Sequence, residues 1–305
     1  MPVHAHGEGE AEARVLLGLR LAVEISFVIL ALEATGAYLS HSLSLTVDAV
    51  HNVPDLLAFG LSWAALRAAS GGATSSFTFG AHRFETLAAL GNASLVALTG
   101  AVFGYEALSD LSRGASFAGT VDPLWLLAVA APTLLLRSVN LSILRRNPSK
   151  VRDLNLSGVI VHLASDLAIT AALLASGAVL LLRPSYAWID PGAALAIAAI
   201  LVYESVPLFR AGIDVLTDRT PRNLSVAEIE RAALAVPGVR GIHDVHVWAV
   251  CSSLICLTAH LAVEEGSLRG ALEVVAQVRA RMEERFGILH STFEVEDIAT
   301  AGAPS

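Results

Sequence analysis

Six apolar blocks, each long enough to cross a lipid bilayer as a helix, occupy the first two thirds of this 305-residue chain. They run Leu16–Ser40, Leu43–Ala69, Phe84–Leu111, Pro123–Leu144, Leu154–Leu182 and Ala187–Phe209. About 20 helical residues cover a hydrocarbon core ~30 Å thick, and a helix satisfies its own backbone there. Charged residues make up only 16% of the chain against 54% hydrophobic, where an ordinary soluble domain carries about 25% charged. The pattern predicts an α-helical membrane protein with six transmembrane helices. It excludes a disordered chain. A formal net charge of −8 argues against a nucleic-acid partner, because phosphate binding needs a basic surface.

Residues 1–15 read as a polar, acidic N-terminal tail, residues 16–210 as a six-helix transmembrane domain, and residues 211–305 as a separate soluble domain. No cleaved signal peptide is expected, since the first apolar block is too long for one. Two histidines in the tail, His4 and His6, are too few for a metal-binding tract. The basic residues orient the spans by the positive-inside rule. Arg14, Arg67, Arg83, Arg145, Arg146, Lys150, Arg152 and Arg210 fall on one side, and Arg113 and Arg183 on the other. Both termini are therefore expected in the cytosol. Lys150 is the only lysine in an Ala-, Leu- and Arg-rich chain, a bias that suggests a bacterial inner membrane.

The last part shows mixed periods. Ser225 with Glu228 has capping-box spacing and opens a helix that Pro237-Gly238 ends. Val239–Val250 and Leu254–Val263 read as strands, with Ile255, Leu257, Ala259, Leu261 and Val263 on one face and Cys256, Thr258, His260 and Ala262 on the other. Ser267 can cap a helix to Phe286, and Ile288–Val295 reads as a third strand. The order α-β-β-α-β predicts a small two-layer cytosolic α+β domain. Cys251 and Cys256 lack CxxC spacing, so neither a disulfide framework nor a thiolate zinc site is expected.

Ionisable residues deep in a membrane are costly and mark function. The second span holds His51 and Asp55, the fifth His162 and Asp166. Both pairs are HxxxD, which puts imidazole and carboxylate on one helical face. The two spans run in opposite directions. At ~1.5 Å per residue His51 and Asp55 lie roughly 12 and 18 Å from one edge, and His162 and Asp166 roughly 12 and 18 Å from the other. His51 is then level with Asp166, and Asp55 with His162. A lone intramembrane histidine is more often packed or hydrogen-bonded; two identical pairs at matching depth are harder to dismiss.

Two imidazole nitrogens and two carboxylate oxygens suit tetrahedral zinc. Two aspartates neutralise one divalent cation, and protons on the same groups relieve the charge when metal is absent. Metal and protons thus compete for one site, and alternating access would exchange Zn2+ for H+. Asp48 shares the face of His51; it is read either as a relay from outside or as a hydrated acid in the first helical turn. Glu33 is expected to hydrogen-bond a neighbouring helix, and Arg137 to snorkel or pair with an acid. An intramembrane metalloenzyme would need an activated water and a general base, and no HExxH is present, so no enzyme is expected. A metal sensor or scaffold would not need the buried ligands.

With these residues the chain resembles the cation diffusion facilitator family of zinc transporters. The likeness rests on SLSLTVDAVHNVPD, FTFGAHRFETLAALGNA, NLSGVIVHLASD and IDPGAALAIAAILVYES in the spans, and on GIHDVHVWAV, LTAHLAV and ILHSTFEVE beyond them. The resemblance implies a homodimeric, proton-coupled metal antiporter with a metallochaperone-like cytosolic domain, in which His51, Asp55, His162 and Asp166 form the transport site. It implies zinc preference from the histidine at position 51, with a broader exporter of Cd2+, Co2+, Fe2+ or Mn2+ as the alternative. His243, His260, His290 and Glu296 match positions that bind zinc in relatives, with Asp244 and His246 as weaker candidates. His260, Thr292, Glu294 and Glu296 occupy the even strand positions, away from the apolar odd face. The loop Arg145–Asp153 lacks a His-rich stretch, and Ser70–His82 offers only His82 as a ligand; neither loop is expected to capture zinc.

Overall fold

The protein, seen as a computed structural model, is described over residues 5–69, 74–80, 82–113, 121–145, 154–251, 254–264 and 267–297. His4 and most of the Arg145–Asp153 loop lie outside them. Six long helices come first: α1 (Ala5–Ser40), α2 (Leu43–Ala69), α3 (Arg83–Arg113), α4 (Pro123–Arg145), α5 (Leu154–Leu182) and α6 (Ile189–Leu216), with a 3-10 turn at Pro184–Tyr186 before the last. Among the described residues, α1, α3, α4, α5 and α6 contain stretches long and apolar enough to cross a membrane. Helix α2 carries Asp48, His51 and Asp55.

Two helices overrun their expected bounds. Helix α1 begins at Ala5, inside the segment read as a tail; Ala, Glu and Arg there are strong helix formers continuous with the span. Helix α6 passes Arg210 and ends at Leu216, because a change from apolar to charged residues alters the medium, not the helical propensity.

By contacts the chain divides into two compact units, Met1–Gly60 with Asn92–Pro207, and Leu61–Gly91 with Leu208–Ser305. In the first, Leu45, Val47, Val96, Leu126, Ile169, Leu173, Ile197 and Leu201 form the buried apolar core. The outward side chains are apolar as well: Phe27, Leu124, Leu135 and Leu182 are exposed, as lipid contact requires. Close approaches use glycine. A Cβ on Gly36 of α1 would sit 2.5 Å from Val129 of α4, and one on Gly100 of α3 would sit 2.8 Å from the Ala198 carbonyl of α6.

Two residues, His41 and Ser42, join α1 to α2, and His41 takes a left-handed φ of 54° to make the bend. The start of α2 is held from α6. Asp190, 1% exposed, accepts from the Leu43 N–H at 2.7 Å and from the hydroxyls of Ser42 and Ser44. A carboxylate there satisfies otherwise unpaired helix N–H groups and complements the helix dipole.

The second unit contains the expected α-β-β-α-β order: α7 (Val226–Leu234), β1 (Val239–Cys251), β2 (Leu254–Val263), α8 (Leu268–Phe286) and β3 (His290–Asp297). Strand β2 is central, antiparallel to β1 and parallel to β3. Ile229, Ala232 and Ala233 of α7 and Val274, Val278 and Met282 of α8 pack with Val247, Leu257 and Leu261 of the sheet. Ser267 caps α8 through its hydroxyl at 3.2 Å from the Gly270 N–H. Ser225 marks the start of α7 but makes no side-chain cap bond; its carbonyl alone receives Glu228 and Ile229. Cys251 and Cys256 are both buried and free of a disulfide.

Candidate metal centre

Helices α2 and α5 bring their two HxxxD pairs face to face. His51 Nε2 lies 3.5 Å from Asp55 Oδ2 and 3.8 Å from Asp166 Oδ1. His162 Nε2 lies 3.1 Å from Asp55 Oδ2 and 3.7 Å from Asp166 Oδ2. The cross-helix neighbours are those that the depth argument paired: His51 with Asp166, Asp55 with His162. The imidazoles meet edge to face at 5.8 Å between centroids. Pro54 sits between His51 and Asp55, and its missing N–H relaxes the helical ladder at that turn.

The donor spacing has chemical meaning. Ligands about 2.0–2.1 Å from a tetrahedral zinc are separated by roughly 3.3–3.4 Å along the tetrahedron's edges. Among the described residues His51, Asp55 and His162 each offer one atom within 4.8 Å of the others, while Asp166 approaches His51 through Oδ1 and His162 through Oδ2. Both ring nitrogens of His51 and Oδ1 of Asp166 are buried without a hydrogen-bond partner. Buried polar atoms rarely stay unpaired. An unprotonated Nε2 of His51 and Oδ1 of Asp166 each offer a lone pair, which is what a cation site needs.

Around the four lies an ionic network anchored on α4. Arg137, 3% exposed, pairs with Glu33 of α1 at 3.0 Å and Asp48 of α2 at 3.1 Å. Asn52 donates to Glu33 as well. Of the two readings of Arg137, pairing with an acid is the observed one. Asp48 is 0% exposed, and Arg137 pairs with its Oδ1. Glu33 meets a neighbouring helix as expected.

A second cluster lies on the small sheet. Antiparallel pairing puts His243 of β1 opposite His260 of β2; parallel pairing puts Glu294 of β3 level with His260 and Glu296 two residues on, opposite Ala262. His243 Nε2 is 2.9 Å and His260 Nδ1 2.7 Å from the two oxygens of Glu296. The hydrogen bond to Glu296 raises the proton affinity of His260 despite some desolvation, with Glu294, Glu296 and Asp244 adding attraction. Hydrogen bonds from His260 and His243 lower the pKa of Glu296.

Asp244 belongs to this group more closely than its spacing suggested. An irregularity between His243 and His246 gives Asp244 a φ of 49° and aims its carboxylate to within 3.6 Å of His260 and 3.0 Å of His246. His290 does not join it. It opens β3 opposite Cys256, with its ring 5.4 Å from Phe79. Six residues along a strand separate it from Glu296 by about 20 Å. His82 Nδ1 is 3.6 Å from Cys251 Sγ, a pairing with no trace in local spacing.

Comparison with known proteins adds independent information. Residues 19–217 match the cation efflux transmembrane domain, and residues 221–298 match the cation efflux protein cytoplasmic domain. The chain is 29% identical over 293 residues to the metal cation efflux system protein CzcD of Cupriavidus metallidurans, covering 96% of this chain and 89% of the relative. It is 29% identical over 278 residues to a cadmium, cobalt and zinc/H(+)-K(+) antiporter of Bacillus subtilis, covering 89% and 87%. It is 29% identical over 294 residues to the probable proton-coupled zinc antiporter SLC30A3 of Homo sapiens, covering 90% and 75%. Among solved structures, the metal-bound C-terminal domain of CzcD matches at 33% identity and a TM-score of 0.22, covering 24% of this chain and 99% of that one.

Proposed function

This chain belongs to the cation efflux, or cation diffusion facilitator, family, and from that premise we propose that it is a proton-coupled antiporter carrying Zn2+ out of the cytosol through His51, Asp55, His162 and Asp166. Integral membrane placement and metal cation efflux come with the family. The choice of zinc rests on the ligands. Two borderline nitrogens and two hard oxygens suit zinc better than an all-oxygen set, which would favour manganese.

One observation carries the reading: two buried atoms without hydrogen-bond partners, His51 Nε2 and Asp166 Oδ1, lie 3.8 Å apart, and the same His51 nitrogen is 3.5 Å from Asp55 Oδ2. Zn2+ as substrate neutralises both aspartates. When it leaves, protons take its place on the same groups. Exchange of one for the other is antiport.

The cytosolic part, residues 211–305 as a domain, dimerises and binds regulatory zinc through His243, His260 and Glu296. Cytosolic zinc then biases the transport cycle by favouring one arrangement of the pair. The arginine distribution supports both termini in the cytosol, and the bacterial relatives support a plasma membrane. A second reading, export of Cd2+ and Co2+ beside Zn2+, is favoured by the metals in the name of the Bacillus relative.

The test is uptake of zinc, cadmium, cobalt, manganese and iron into proteoliposomes with an imposed pH gradient. Zinc flux that requires the gradient supports the proposal. Equal flux with the gradient collapsed overturns antiport with protons.

A further inference from the structure

Resting on the transport reading above, we propose that Arg137 is the positioning residue of the intramembrane site: it holds the ligand-bearing turns of α2 and α5 at the separation the metal requires, without meeting the metal itself. The evidence is where its two terminal nitrogens go. Nη1 donates to the main-chain carbonyl of Asp166 at 2.6 Å. Nη2 donates to Asp48 Oδ1 at 3.1 Å and reaches Asn52 Oδ1 at 3.4 Å. Asp48 and Asn52 bracket His51 on α2 and are four residues apart, so they share a helical face. One guanidinium thus grips the turn that carries His51 and the residue that carries the Asp166 carboxylate.

The grip is stiff for three reasons. Guanidinium is planar, and its donors form a fixed fork; the spacing of the two nitrogens that reach α2 and α5 is set by covalent geometry. The Asp166 carbonyl also accepts from Thr170 Oγ1 at 3.0 Å, so a second donor fixes the same point on α5. Glu33 accepts from the same Nη2 at 3.0 Å, which ties α1 in. Arg137, Glu33 and Asp48 are all buried. Removing one member leaves the others as uncompensated buried charge, so the network persists as a whole.

His51 and Asp166 approach only to 3.8 Å, the longest of the four donor separations. That is the gap Arg137 spans from behind. Groups that orient metal ligands typically change metal affinity roughly 10–100-fold when altered. A looser gap also admits ions of other bond lengths, so discrimination should fall with affinity.

The experiment uses the purified full-length protein and two variants. Arg137→Lys keeps the charge but loses the fork. The triple variant Glu33→Gln, Asp48→Asn, Arg137→Gln removes every charge of the network together and leaves no buried ion unpaired, so it remains foldable if the lysine variant does not. Zinc and cadmium are titrated calorimetrically, and uptake of each is measured in liposomes. We expect the KM and Kd for zinc to rise roughly 10–100-fold, kcat to stay within about twofold, and the zinc-to-cadmium ratio to fall. Folded variants with wild-type KM, Kd and metal ratio, whatever their yield, would show Arg137 to be a packing element and overturn the proposal. Absence of zinc uptake by the wild type would instead overturn the transport reading, and the calorimetric arm would still decide the role of Arg137.

Discussion

His162 Nε2 lies closer to Asp55 Oδ2, at 3.1 Å, than either residue lies to its own HxxxD partner, at 3.7 and 3.5 Å. The tightest contact of the site therefore runs between α2 and α5. Each HxxxD turn offers two donor groups, and the proposed site needs both helices. Its properties should respond to changes in either helix.

Asp55→Ala or Asp166→Ala should lower zinc uptake in proteoliposomes by more than roughly 100-fold, since each deletes a ligand where even supporting groups matter 10–100-fold. Asp55→Ala should fold normally, because an intramembrane charge is gone. Full zinc flux in either variant, measured beside wild type, is the result the proposed site does not survive.

His51→Asp should widen the metal range towards cadmium and manganese. The change replaces a borderline nitrogen by a hard oxygen and adds a negative charge. Side-by-side uptake of zinc, cadmium and manganese reads the ratio. An unaltered ratio would place selectivity outside the ligand set.

The sheet cluster predicts a pH dependence with a definite sign. His260 has a raised pKa in the fold, so its contribution to stability is present below its unfolded pKa near 6.5 and is lost as pH rises through the folded value. Glu296 has a lowered one, so its contribution is present above about 4.3 and lost as pH falls through the folded value. Their mutual support is greatest between those limits. Zinc requires a deprotonated His260, so zinc affinity of residues 211–305 should rise by up to about tenfold per pH unit until His260 has titrated, then level off. Calorimetry in two buffers of different ionisation heat counts the released proton. His260→Ala should reduce both the release and the slope, leaving the share of His243.

Gly36→Val should destabilise the membrane unit by about 1–3 kcal/mol, because its Cβ would meet Val129 at 2.5 Å. Gly91→Ala faces open space and should be neutral or stabilising by up to ~1 kcal/mol. Thermal unfolding in detergent, followed by size-exclusion fluorescence, compares them. Equal effects would mean that α1 and α4 are not in close contact.

Local periodicity revealed the spans, the HxxxD pairs and the α-β-β-α-β order, because each depends on residues within a turn or a strand of each other. What escaped it depends on distant neighbours. The sequence leaves Arg137 either to snorkel or to pair with an acid, and its partners, Glu33 and Asp48, are 104 and 89 residues away. The Asp190 carboxylate reaches Ser42 across 148 residues, and nothing near either residue announces it. Strict strand alternation would put Asp244 on the face opposite His243; the irregularity after His243 turns it towards His260. The resemblance groups His290 with Glu296, and within one chain strand rise separates them by about 20 Å.

The clasp of Asp190 on the first residues of α2 makes that helix a lever with a fixed fulcrum. Any tilt about Leu43 moves each residue through an arc proportional to its distance from the pivot, about 12 Å for His51 and 18 Å for Asp55 at the helical rise. Asp55 therefore travels roughly half as far again as His51. The shortest contact of the site, to His162, sits on the longer arm. A swing of α2 away from α5 would open the site from the Asp55–His162 side and leave His51 and Asp166 the last to part.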